Sequence, residues 1–254
     1  MPYVKVNGEQ LFYAEARAVN ARLTMALVHG AGHNHLAWPA SMRRMDDVNV
    51  YALDLPEHGK SSGRGRDSVA DYARVVYGFL DALGVERAVI AGHSMGGAIA
   101  QQFALSYPER AAGLILVATG ARLRVAPAIL DGMLKNYDAT LDWVTRYAWG
   151  PDAPEELARL GRAQLAEASP QVAANDYAAC DAFDVIDRLG QIVAPTLVIG
   201  GTADQMTPLK YAMFLAEKIP GARLAMIESA GHMVMLEQPE QVARHVGEFL
   251  AAIL

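Results

Sequence analysis

The sequence predicts an α/β fold: a mostly parallel, twisted sheet of eight strands with helices on both faces and a helical cap inserted into it. Three observations predict it. Short, β-rich apolar runs alternate with helical stretches along most of the chain. At Ser94 an apolar strand passes through a glycine-flanked turn into a helix. Between about residues 120 and 189 the alternation stops and only helix-compatible sequence remains. The 254 residues are long for one ordinary domain, yet α/β folds reach that size as a single unit, so residues 1–254 are expected to form one domain with an insertion at about 120–189.

The elements follow in order. Tyr3 to Val6 and Leu11 to Glu15 flank Asn7-Gly8, a strong hairpin signal, so the chain opens with antiparallel strands. Leu23 to Val28 and Val48 to Leu53 are apolar strands of the parallel part. Ser68 to Leu83 reads as a helix, with Ser68 as N-cap, Asp71 three residues on and Gly84 at its far end. Ala88 to Ala91 is the strand before Ser94, and Ala98, Ile99, Gln102 and Phe103 beyond it fall at helical spacing.

Leu114 to Val117 is the next strand. From Gly120 to Leu189, a helical stretch punctuated by Pro127, Pro151, Pro154 and Pro170 reads as a cap; the alternative is a set of packing helices with no role at the site. Strands resume at Thr196 to Ile199 and Arg223 to Ile227, each followed by a helix, Pro208 to Ile219 and Gln238 to Leu254. In the last helix Val242, Val246, Phe249 and Leu250 mark the face that packs on the sheet.

Composition narrows the function classes. Apolar residues make up 52% and charged residues 20%, enough for a large core and too ordered a mixture for a low-complexity chain. With 28 acidic against 22 basic residues the net charge is −6, and no basic tract is present to neutralise phosphates, so nucleic acid is not an expected partner. Met1 to Asn7 lacks the pattern of a secretion signal and no apolar run approaches membrane-spanning length; a cytoplasmic protein with no membrane partner is expected. Cys180 is the only cysteine, which excludes an internal disulfide, and its setting suits an inert buried thiol.

The segment Val89-Ile90-Ala91-Gly92-His93-Ser94-Met95-Gly96-Gly97 has the layout of a nucleophile elbow. It makes Ser94 the candidate nucleophile, with Gly92 and Gly96 removing side chains that would collide across the turn. A neutral serine hydroxyl needs a general base, and that base needs a carboxylate to fix its tautomer. Asp204 lies just past the strand Thr196 to Ile199 and His232 just past Arg223 to Ile227, at the ends of parallel strands where a crevice opens. Asp181, Asp184 and Asp187 fall in the cap and suit solvated or capping roles better.

The chain resembles the α/β-hydrolase fold family in Gly92-His93-Ser94-Met95-Gly96, in Gly200-Gly201-Thr202-Ala203-Asp204 with Pro208 after it, and in Gly231-His232. The resemblance spans nearly the whole chain and is weakest across the cap. It implies the triad Ser94, Asp204 and His232, in the order nucleophile, acid, base. It implies an oxyanion hole made by the Met95 N–H and by a second donor from Leu27-Val28-His29-Gly30-Ala31-Gly32, assigned to the Ala31 N–H. Asp54-Leu55-Pro56-Glu57-His58-Gly59-Lys60-Ser61 is similar to a second family loop and reads as structural; Glu57 replaces a glycine there and is expected to impose a different local backbone.

Met206, Met233 and Val234, with Trp143, Tyr147 and Trp149 from the cap, are candidates for an apolar substrate pocket. His29, His33 and His35 cluster, with His58 also in a loop, at a spacing that could bind zinc, but His-x-His without a matching Asp and further spaced ligands is poor metal evidence; His93 reads as a packing residue beside the site and His245 as a helix-surface residue, so neither metal nor cofactor is expected. Together these residues point to a cofactor-free serine hydrolase that cleaves small carboxylic esters through an acyl-enzyme. The resemblance also admits lactonases, perhydrolases and carbon–carbon bond hydrolases; the last favour an arginine in the cavity, for which Arg122, Arg124 and Arg146 are candidates. From another class, the fold could hold a small hydrophobic ligand without catalysis, and ester turnover separates the two.

Overall fold

The structure is a computed structural model and describes residues 2–254. The chain runs β1 (Tyr3–Val6), β2 (Glu9–Ala16), β3 (Leu23–Val28), α1 (Ala40–Arg43), β4 (Val48–Leu53), α2 (Val69–Ala82), β5 (Ala88–His93), α3 (Met95–Ser106) and β6 (Ala111–Val117). Four helices follow before the next strand: α4 (Pro127–Lys135), α5 (Tyr137–Ala148), α6 (Glu155–Leu165) and α7 (Pro170–Ala182). The chain then closes with β7 (Thr196–Gly201), α8 (Lys210–Lys218), β8 (Arg223–Ile227), α9 (Val234–Glu237) and α10 (Pro239–Ile253).

The eight strands form one sheet in the order β1-β2-β4-β3-β5-β6-β7-β8. The pairs β1–β2 and β2–β4 are antiparallel and the other five are parallel, as the opening hairpin and the later alternation predict. Alternate residues of each strand face opposite sides, and two apolar cores result. Ala26, Ile90 and Leu116 pack with α2, α3 and α8 on one side; Met25, Val89 and Val117 pack with α1 and α10 on the other. Burial on both faces explains why the central strands read as unbroken apolar runs.

Several elements are longer than the sequence pattern suggests. β5 continues through Gly92 and His93 because these pair with Leu116 and Val117 of β6, and sheet pairing overrides the weak strand preference of glycine. Helix α2 begins as expected, with the Ser68 hydroxyl accepting from the Asp71 N–H and Gly84 at φ +68° beyond its end. Glu57 corrects an expectation: its φ is +66°, so the backbone keeps the left-handed turn despite the side chain. The cost is offset because Glu57 Oε2 accepts the Gly65 N–H at 2.7 Å and the Glu57 N–H reaches Ser62 O at 3.3 Å.

Among the described residues no helix is long and apolar enough to cross a membrane. The carboxyl ends of β3, β5, β6, β7 and β8 lie side by side in the sheet, so the loops after them converge on one edge.

Candidate active site

Ser94 sits between β5 and α3 at φ +53° and ψ −115°, a conformation disfavoured for any residue with a side chain. The glycines around it are steric necessities. A Cβ on Gly92 would stand 2.0 Å from Gly96 O, and one on Gly96 would stand 2.1 Å from Val28 O. Main-chain bonds hold the strained residue: Ser94 N–H donates to Val117 O at 2.9 Å, while Ser94 O accepts from the Gly97 N–H and from the Thr119 hydroxyl at 2.8 Å.

The loops after β7 and β8 bring Asp204 and His232 together. His232 Nδ1 lies 3.0 Å from Asp204 Oδ2, and the Thr207 hydroxyl donates to the same oxygen at 2.7 Å. Asp204 Oδ1 accepts the Met206 and Thr207 N–H groups, each at 2.8 Å. Burial pushes this carboxyl up, but the His232 charge and hydrogen bond, with those from Thr207, outweigh it and hold Asp204 below the usual carboxylate range. An ionised acceptor at Nδ1 keeps the proton there and leaves Nε2 as the basic nitrogen. Among the described residues the Asp204–His232 link is formed, whereas Ser94 and His232 share a cavity without a hydrogen bond between them, a contact that commonly tightens only with substrate.

His93, read from the sequence as a packing residue, also holds His232. Its Nε2 donates to the backbone carbonyl of His232 at 3.0 Å and its ring lies against the His232 ring, 4.8 Å between centroids. Burial, then the charge of His232, pushes its pKa well below the ordinary value, so it is a neutral spacer.

Ala31 lines the cavity beside Ser94, and Met95 follows Ser94 directly. Met95 is the first residue of α3, so its N–H has no acceptor in the helix. The Gly30 carbonyl accepts from His29 Nδ1 at 2.8 Å and from the His33 N–H at 3.2 Å. In a planar trans peptide the N–H points opposite to the C=O, so anchoring Gly30 O turns the Ala31 N–H the other way. Gly30 lies against Ser94: a Cβ there would be 3.3 Å from Ser94 Cβ. His29 Nε2 accepts the Leu55 N–H at 3.1 Å, and burial holds its pKa down at about 3, which makes it a neutral ring with both nitrogens employed.

A cavity of about 430 Å³ opens over Ser94, lined by Ala31, His232 and residues of the four inserted helices. Met206, Met233, Trp143, Tyr147 and Trp149 line it as expected. Val234 does not: it begins α9, is fully buried and packs into the sheet core beneath, so its expected place in the pocket is corrected. Of the three arginines only Arg124 reaches the lining, where its guanidinium donates to Asp181 O at 2.9 Å. Arg122 pairs with Asp184 at the surface and Arg146 is exposed. Cys180 is buried and lines the cavity, its thiol pushed up by burial.

The remaining buried histidines have hydrogen-bonding duties. His33 pairs with Gln164 at 3.1 Å, His35 with Asp54 at 2.8 Å and His58 with Asp176 at 2.8 Å. Among the described residues no three His, Cys, Asp or Glu side chains are grouped to hold a metal ion.

Comparison with known proteins agrees with this fold. A family profile described as "Alpha/beta hydrolase family" matches residues 25–245. The chain is 30% identical over 246 residues to a 2-hydroxy-6-oxo-6-phenylhexa-2,4-dienoate hydrolase of Comamonas testosteroni, spanning 88% of this chain and 86% of that protein. Its structure is similar to an enol-lactonase from Burkholderia xenovorans LB400, with a TM-score of 0.91, 25% identity and coverage of 98% of this chain and all (100%) of the other. It is similar also to a thermophilic esterase from Thermogutta terrifontis, with a TM-score of 0.88, 25% identity and coverage of 99% and 98%.

Proposed function

The chain belongs to the alpha/beta hydrolase family, and from that premise we propose that it is a serine hydrolase cleaving small carboxylic esters through an acyl-enzyme. One observation carries the reading: Ser94, in left-handed backbone at the floor of the cavity, shares that cavity with a His232 whose Nδ1 is tied to a buried, ionised Asp204. Ser94 Oγ attacks the ester carbonyl carbon as His232 Nε2 takes its proton. The carbonyl oxygen becomes an oxyanion held by the Ala31 and Met95 N–H groups, each such donor contributing on the order of 3 kcal/mol to the transition state. Collapse breaks the bond to the alcohol, which leaves with the proton from Nε2. Water then gives a proton to Nε2, attacks the acyl carbon, and frees the carboxylic acid and the Ser94 hydroxyl.

The lining favours an apolar substrate. Around Ser94 stand Leu123, Ile129, Val144, Leu165, Met206 and Met233, and the four inserted helices act as the cap that excludes water from them. A second reading, carbon–carbon bond hydrolysis, draws support from the relative of Comamonas testosteroni and from Arg124, the one arginine in the lining, which suits a substrate carboxylate.

A series of p-nitrophenyl esters from acetate to octanoate, assayed beside 2-hydroxy-6-oxo-6-phenylhexa-2,4-dienoate, tests both. Faster turnover of the esters supports the first reading; turnover of the dienoate with negligible esterase activity replaces it by the second. Absence of turnover of either returns the chain to the class of small-ligand binders.

A further inference from the structure

Asp176 lies in the middle of α7, within the inserted helices, yet its carboxylate is bonded to partners outside them. Oδ2 accepts the Gly32 N–H at 2.9 Å and His58 Nε2–H at 2.8 Å, and Oδ1 accepts the Tyr72 hydroxyl at 2.6 Å. Asp176 is fully buried and His58 nearly so. Its helix face is otherwise apolar: Val172 is buried, and Ala173, Tyr177 and Cys180 pack into the core. Docking α7 needs no charge there: a buried ion pair costs desolvation and is often matched by apolar residues of similar size. What an apolar residue cannot do is accept the buried N–H of Gly32.

That N–H belongs to the peptide immediately after Ala31. The peptide before Ala31 is fixed through Gly30 O by His29 and the His33 N–H. The peptide after it is fixed through the Gly32 N–H by Asp176. Because peptides are planar, only φ and ψ of Ala31 separate the two planes, and pinning both planes sets both angles. The inserted helix α6 and the turn after it add contacts to the same loop, with Gln164 bonded to His33 and Asn34 and Glu167 to Asn34.

We infer that Asp176 is a positioning residue for the oxyanion hole: by holding the Gly32 N–H it aims the Ala31 N–H at the reacting oxygen, so the docked helices complete the site as well as cover it. The inference rests on the serine hydrolase reading above. In Asp176→Asn an amide nitrogen that cannot accept replaces one oxygen, so the Gly32 N–H, His58 Nε2–H and the Tyr72 hydroxyl compete for the single oxygen left, and the charge that faces His58 is lost.

The test compares wild type and Asp176→Asn on p-nitrophenyl butyrate, with active sites titrated and folding checked by thermal melting, and adds inhibition by an alkyl trifluoromethyl ketone, whose serine hemiketal carries an oxyanion. The expected result is a kcat about 10- to 100-fold lower, KM within about threefold, and inhibitor affinity weakened in step with kcat/KM. A folded variant with unchanged kcat, or with lower kcat and unimpaired inhibitor affinity, overturns the inference and leaves Asp176 a docking contact. If Asp176→Asn does not fold, Tyr72→Phe, which removes one anchor of the carboxylate, decides by the same two readouts: a joint loss supports, constancy of both overturns. Wild type inactive on every substrate removes the hydrolase reading and the inference with it; active wild type with an unimpaired variant removes the inference alone.

Discussion

The turn at Ser94 and the loop from His29 to His35 lie side by side at the cavity, and they are held by opposite means. The turn owes its shape to missing side chains: Gly92 and Gly96 let backbone approach backbone where no Cβ fits, and its hydrogen bonds run to β6 and its own helix. The loop owes its shape to side chains brought from far away, with Asp54 behind it, His29 within it, and Gln164, Glu167 and Asp176 reaching in from the inserted helices. The turn is therefore rigid by construction, whereas the loop depends on how the inserted helices are seated. If Ser94 is the nucleophile and Ala31 the oxyanion donor, as proposed, a rigid turn beside an adjustable loop gives the fold a way to couple coverage of the substrate to completion of the site.

That contrast breaks first at the turn. Asp204→Asn should lower kcat by about 10³- to 10⁴-fold with the fold intact, because a neutral amide no longer fixes the His232 tautomer; steady-state kinetics on the best ester checks it, and a loss under tenfold would place the orienting carboxylate elsewhere. Gly92→Ala should cost about 3 kcal/mol or more in stability, since its Cβ would overlap the Gly96 backbone, and activity should fall with the altered turn. Chemical denaturation and turnover report both, and a variant as stable and active as wild type would show that the turn can relax.

The loop side should respond to acid more gradually. His29 and His33 are held at about 3 and about 4 by burial, and His93 well below its ordinary value for the same reason. The unfolded chain binds these protons below about pH 6.5 and the folded chain does not, so stability should fall as pH drops from there, by about 1.4 kcal/mol per unit for each ring. His58 has the opposite sign: burial lowers its pKa, but the Asp176 carboxylate outweighs burial and raises it, so its contribution is present below about pH 6.5 and lost as pH rises through its folded value. Melting temperatures measured from pH 5 to 9 should show the acid-side loss, and a flat profile below neutrality would contradict neutral burial of the three rings. The smallest effect belongs to Gln164→Ala, which removes one of several contacts to the loop; kcat should fall about two- to fivefold with KM little changed.

The same contrast explains what the sequence reveals. The Ser94 turn is legible because its determinants lie within five residues, and the strands that place Asp204 and His232 are legible because burial on both faces leaves continuous apolar runs. The loop anchors are not: Asp176 and Gly32 are 144 residues apart, and Gln164 and His33 are 131. One local sign exists, since Asp176 interrupts a helical stripe of Val172, Ala173, Tyr177 and Cys180, and a carboxylate on an apolar face needs a buried partner. Glu57 misleads for the complementary reason: its left-handed backbone is held by hydrogen bonds to Gly65 and Ser62 that local preference does not contain. Val234 misleads because adjacency to His232 in sequence places it in α9 beneath the site.

Incubation with diisopropyl fluorophosphate, followed by intact-mass and peptide analysis, tests most directly whether Ser94 is an activated nucleophile. The expected result is a single adduct on Ser94, absent from Ser94→Ala, with esterase activity lost in proportion to labelling. Protein that stays unmodified while hydrolysing esters, or an adduct on any other residue, would contradict it.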